Sequence, residues 1–113
     1  MERLPVDVQV VVLGFSQGAA TVSRWVSFGR VRPDRLILWG ELLPPDLDLD
    51  VAWGKLSDSR LTIVVGTKDG YVNLGHLRDL EARLLDHEIP YETIRYDGGH
   101  HLDPEILGVL AAT

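Results

Sequence analysis

The chain has 113 residues, 45% of them hydrophobic and 25% charged, with a mean hydropathy of +0.04, the makeup of an ordinary globular chain with material for one domain over residues 1–113. A net charge of −6 and a pI near 5.0 argue against nucleic acid or an anionic membrane surface as the main partner, and the lack of cysteine excludes a disulfide framework, a thiol nucleophile and cysteine-ligated zinc. Apolar runs fall far short of the roughly 20 residues a membrane helix needs, and Met1-Glu2-Arg3-Leu4-Pro5 has no signal-peptide core, so a cytoplasmic chain without a membrane span is expected.

In chain order, residues 8–13 form an uncharged, β-branched run suited to a parallel strand covered on both faces. Residues 17–28 read as a helix that starts with small side chains and is capped by Gly29. A second strand is expected over 35–40. The interval 41–59 then breaks the rhythm with Pro44-Pro45, with Asp46, Asp48 and Asp50 alternating with apolar residues, and with Trp53-Gly54. Long loops inside a domain tend to be functional. Lying beyond the carboxyl end of a parallel strand, this one offers an apolar substrate-pocket wall through Leu42, Leu43 and Trp53, joined by Phe15; packing against a neighbouring helix is the alternative for each. A third strand follows over 61–66. The next helix, 74–87, carries a stripe of Leu74, Leu77, Leu80, Leu84 and Leu85, which leaves His76 and His87 near its solvated side. A fourth strand over 91–96 leads to a closing helix over 104–112, with Asp103 as N-cap before a first-position proline. Strands alternating with helices imply a parallel α/β sheet with right-handed crossovers.

At the end of the first strand stands Gly14-Phe15-Ser16-Gln17-Gly18, opening onto Ala19-Ala20. A serine on a sharp strand-to-helix turn is a nucleophile elbow. Small neighbours are expected on both sides, because the incoming strand passes close to the outgoing helix. The turn exposes the Ser16 hydroxyl and aims the Gln17 N–H at an oxyanion. A serine nucleophile needs a base, and the base an orienting acid. Asp69, in the loop Gly66-Thr67-Lys68-Asp69-Gly70, and a histidine of Asp97-Gly98-Gly99-His100-His101 both follow strands and so share the sheet edge of Ser16. Glu41, after the second strand, is a rival acid. Only one of the adjacent histidines can face the serine, and the Gly-Gly-His context favours His100. A metal site built from His100, His101 and Asp103 is disfavoured because neighbouring residues rarely converge on one ion. Trp25 and Trp39 read as core.

The elbow, the Gly66-Thr67-Lys68-Asp69 loop and Gly98-Gly99-His100 together resemble the phospholipase/carboxylesterase family of α/β-hydrolases, which includes the acyl-protein thioesterases. The resemblance runs over residues 8–107. It implies Ser16 as nucleophile, Asp69 as acid and His100 as base, acting on small carboxylic ester or thioester substrates with no cofactor and no metal. It also implies a C-terminal half only, about four strands with flanking helices. Family members are nearly twice as long, and their N-terminal half supplies further strands and the second oxyanion-hole N–H. Two functions therefore stand side by side: an esterase or thioesterase, or an incomplete half-domain that keeps the triad residues without the chemistry. With that half missing, residues 8–13 become an apolar sheet edge. Cover is then expected from a second copy in a homodimer or from the missing N-terminal half.

Overall fold

A computed structural model describes residues 10–27, 33–43, 56–57, 59–70 and 72–112. In chain order these form β1 (Val11–Phe15), α1 (Gln17–Ser27), β2 (Arg35–Trp39), β3 (Arg60–Gly66), α2 (Leu74–Asp86), β4 (Tyr91–Tyr96) and α3 (Pro104–Ala112). The four strands make one sheet in the order β1-β2-β3-β4, every pair parallel. This is the α/β arrangement expected from the alternation of strand and helix patterns. Val8 and Gln9 lie outside the described residues, and β1 runs on through Gly14-Phe15 because Phe15 still pairs with Trp39. β2 stops one residue before Gly40, whose φ of +75° turns the chain out of the sheet. Gly29, expected to cap α1, lies outside the described residues.

Side chains alternate across the sheet, so each face has its own core. On one face Val12, Leu36, Leu38, Leu61, Ile63 and Val65 pack against α1 (Ala19, Val22, Val26) and α2 (Leu77, Leu80, Leu84). The other face brings Phe15, Ile37, Trp39, Val64, Ile94 and Tyr96 against Ile106 and Leu110 of α3. The α2 stripe is narrower than expected, since Leu74 is 46% and Leu85 66% exposed. Leu85 stands about 100° round the helix from Leu84, and Leu74 occupies the first turn. Asn73 caps α2, accepting the Gly75 and His76 N–H groups at 2.8 and 3.1 Å. Asp103 caps α3 as expected, accepting from Glu105 and Ile106 at 2.9 and 3.2 Å.

Among the described residues a cation lies inside the sheet. Arg35 of β2 is buried; it donates to the Leu110 carbonyl at 2.9 Å and to Thr62 Oγ1, and pairs with Glu92 at 3.4 Å. Burial, and then the nearby Arg60 charge, push its guanidinium below the ordinary value, while Glu92 pulls it back. The contact places a cation at the C-terminal turn of α3, where the helix dipole favours it. Among the described residues no helix is long and apolar enough to cross a membrane.

Candidate active site

Ser16 links β1 to α1 in the left-handed region, at φ +57°. For a non-glycine residue this costs on the order of 1–3 kcal/mol and persists only where the surroundings impose it. Its N–H is held by the Trp39 carbonyl at 2.8 Å, the last bond between β1 and β2. Gly14 makes the turn possible: a Cβ there would come within 2.6 Å of Ala19 Cα, the Gly18 carbonyl oxygen and Val22 Cγ2. The expectation of small residues on both sides is corrected at Gly18, where an added Cβ would meet nothing within 4 Å among the described residues. The crowding at Gly14 comes from the first turns of α1, which pass over the strand. Gln17 is the first residue of α1, so its N–H has no acceptor within the helix.

Two further loops leave the same edge of the sheet. After β3, the Asp69 N–H turns back to the Gly66 carbonyl at 3.0 Å, and the Asp69 carboxylate is wholly enclosed. After β4, the chain through Gly98 and Gly99 reaches His100. The loops are stitched together: Thr67 N–H donates to the Tyr96 carbonyl at 2.8 Å and Lys68 N–H to that of Gly98 at 2.9 Å. The three side chains then form one row. Asp69 Oδ2 lies 2.8 Å from His100 Nδ1, and His100 Nε2 lies 2.9 Å from Ser16 Oγ. With a carboxylate accepting at Nδ1, that nitrogen carries the proton and Nε2 is left to accept the Ser16 hydroxyl. Such a row can draw a proton from a hydroxyl as it attacks a carbonyl and return it to a leaving group.

The imidazole is walled in. Phe15 lies against it, ring centroids 4.9 Å apart, and a Cβ at Gly40 would stand 3.0 Å from its Cε1, so a glycine there makes room for the ring. The rival groups point elsewhere. His101 is exposed and sits edge-on to Tyr96 at 6.2 Å, and Glu41 accepts the Leu42 N–H at 3.2 Å. Leu42 and Leu43 are not brought to the row: Leu43 is buried in the core beside α2, Leu42 packs against it, and with Leu80 both line a cavity of about 270 Å³. Trp53 lies outside the described residues.

Two aromatic residues with no role in the sequence reading beyond core and strand meet at this site. The Trp39 indole N–H donates to the Tyr96 hydroxyl at 3.0 Å, and that hydroxyl reaches the carbonyls of Gly99 and His101 at 2.7 and 2.9 Å. The only hint in the sequence is position, since each residue ends a strand, with a glycine one residue after Trp39 and two after Tyr96.

No family model and no curated protein matches the sequence. Solved structures do. Acyl-protein thioesterase 2 of Zea mays superposes with a TM-score of 0.72 at 21% identity, over 96% of this chain and 56% of that one. A ferulic acid esterase gives 0.66 at 12% identity, over 90% and 48%. S-formylglutathione hydrolase of Staphylococcus aureus gives 0.63 at 12%, again over 90% and 48%. At these identities the likeness shows the fold, which is that of α/β-hydrolases. The chain spans about half the length of the solved structures it matches.

Proposed function

We propose that the chain carries the catalytic row of a serine hydrolase acting on carboxylic esters or thioesters. The observation that supports this best is the row itself, 2.9 Å from Ser16 Oγ to His100 and 2.8 Å from His100 to Asp69, with the serine held at φ +57°. His100 Nε2 takes the Ser16 proton as Oγ attacks the acyl carbon. Asp69 holds the imidazole in the required tautomer and stabilises the imidazolium. The same nitrogen then protonates the departing alkoxide or thiolate, leaving an acyl-serine that water, deprotonated by His100, releases as the acid. The Gln17 N–H receives the negative charge on the carbonyl oxygen. Phe15, whose ring lies 4.9 Å from that of His100, borders the reacting atoms and offers an apolar surface to the acyl group. No cofactor or metal enters this chemistry.

The test is turnover of p-nitrophenyl acetate and butyrate by the full chain beside Ser16→Ala, with mass spectrometry of a fluorophosphonate adduct. Labelling at Ser16 and loss of turnover in the variant are expected. Equal rates in the two proteins would overturn the assignment.

A second reading, an incomplete half-domain, is favoured by a separate observation: on the face of β1 turned from α1, Val11 is 49% and Leu13 36% exposed. Such an edge calls for cover by a second copy or a further polypeptide. Lacking a second oxyanion donor would lower the rate by about 10²–10³. Sedimentation of the chain distinguishes the cases: a soluble, cooperatively unfolding monomer argues against the need for cover, and a dimer argues for it.

A further inference from the structure

Between the end of β4 and His100 stand only Asp97, Gly98 and Gly99. Two successive glycines give a segment with unusual backbone freedom. Yet the histidine it carries must be held to within a few tenths of an ångström for proton transfer. Something outside the segment has to fix it.

The carbonyls of the two residues that flank His100, Gly99 and His101, both lie on the Tyr96 hydroxyl, at 2.7 and 2.9 Å. A phenol has one proton, shared here between two acceptors, and its oxygen in turn accepts the Trp39 indole N–H at 3.0 Å. Trp39 and Tyr96 are both buried, and their rings meet edge to face at 5.7 Å. A phenylalanine would fill the Tyr96 space as well; only the hydroxyl reaches the loop. Trp39 has a second contact with the row, because its own carbonyl accepts the Ser16 N–H at 2.8 Å. Trp39 therefore holds the turn of the serine through its backbone and, by way of the Tyr96 hydroxyl, the loop of the histidine through its side chain.

We propose that Trp39 and Tyr96 are positioning residues, a clamp that fixes His100 against Ser16 by gripping the carbonyls of the residues that flank it. The proposal rests on the hydrolase reading for its kinetic consequence and on geometry alone for its structural one. The experiment reads both in the full chain. Tyr96→Phe and Trp39→Phe are compared with wild type by the rate at which a fluorophosphonate labels Ser16. The second reading is the proton resonance of His100 Nδ1–H in its bond to Asp69, followed in the cold by NMR. Tyr96→Phe should slow labelling by about 10- to 100-fold and broaden or erase the resonance while far-UV circular dichroism stays unchanged. Trp39→Phe should slow it about 5- to 10-fold, the loss of one hydrogen bond. In a His100→Ala background Tyr96→Phe should slow labelling no further, since a clamp on the histidine has nothing left to position.

Unchanged labelling with an intact resonance in folded Tyr96→Phe overturns the clamp, as does an equal loss in the His100→Ala background. If Tyr96→Phe does not fold, Trp39→Phe, which keeps the phenol, decides by the same two measurements. Where wild-type Ser16 takes no label the hydrolase reading fails on its own, and the resonance, present in wild type and lost in the variant, still supports the clamp. Its absence from wild type overturns it.

Discussion

β1 and β3 are built from much the same residues and are housed very differently. From Leu61 to Gly66 β3 is buried at every position, between α1 and α2 on one face and α3 on the other. β1, written Val-Val-Leu-Gly-Phe, is closed where it meets α1 and partly at Phe15, but Val11 and Leu13 on the face turned from α1 are open. The strand at the other edge, β4, carries Glu92, Thr93 and Arg95 and is guarded as edges usually are. The apolar content of a strand thus states how many faces it is suited to have covered, and β1 is suited to more cover than the described residues give it.

The largest expected difference lies between two truncations. Ile63→Ala should destabilise the chain by about 2–5 kcal/mol, the usual range for a buried branched side chain. Leu13→Ala should change it by less than about 0.5 kcal/mol. Urea unfolding of both variants measures the gap, and equal losses would mean that the open face of β1 is covered in solution. A smaller effect tests the closed face. Gly14→Ala puts a methyl group against the backbone of α1 and should cost about 1–3 kcal/mol, with loss of Ser16 labelling, whereas Gly18→Ala should do neither.

The smallest concerns the guarded edge. Burial, followed by the charge and the hydrogen bond of Glu81, raises the Tyr91 hydroxyl above its ordinary value of 10.0. A group whose folded pKa is raised contributes stability that is complete below the unfolded pKa and fades as pH rises through the folded one. Thermal melts from pH 9 upward should therefore show an alkaline decline above about pH 10 that Tyr91→Phe flattens; identical profiles would remove Tyr91 from the account.

Much of this is readable in the sequence, and the exceptions share a cause. β4 and α3 match their expected limits because local signals bound them: Pro90 before the strand, Asp103-Pro104 before the helix. The meeting of Ser16, Asp69 and His100 is readable because each stands in a glycine-flanked loop after a strand, and parallel strands send those loops to one edge. The extent of β1 is not, since pairing with β2 carries it through Gly14-Phe15. Nor is the bond between Trp39 and Tyr96, which joins positions 57 residues apart through two side chains that local patterns class as core. The burial of Leu43 is hidden in the same way, being set by α2 and not by its own loop.

The separation of Ser16 from His100 has a consequence in time. They are 84 positions apart in the chain. At about 5–20 residues per second of synthesis, roughly 4–17 s pass between the appearance of the serine and that of the histidine. Throughout that interval the nascent chain carries the Ser16 hydroxyl with no imidazole beside it. The row of three side chains is completed by the last strand and its loop, after the rest of the sheet that holds them has been made.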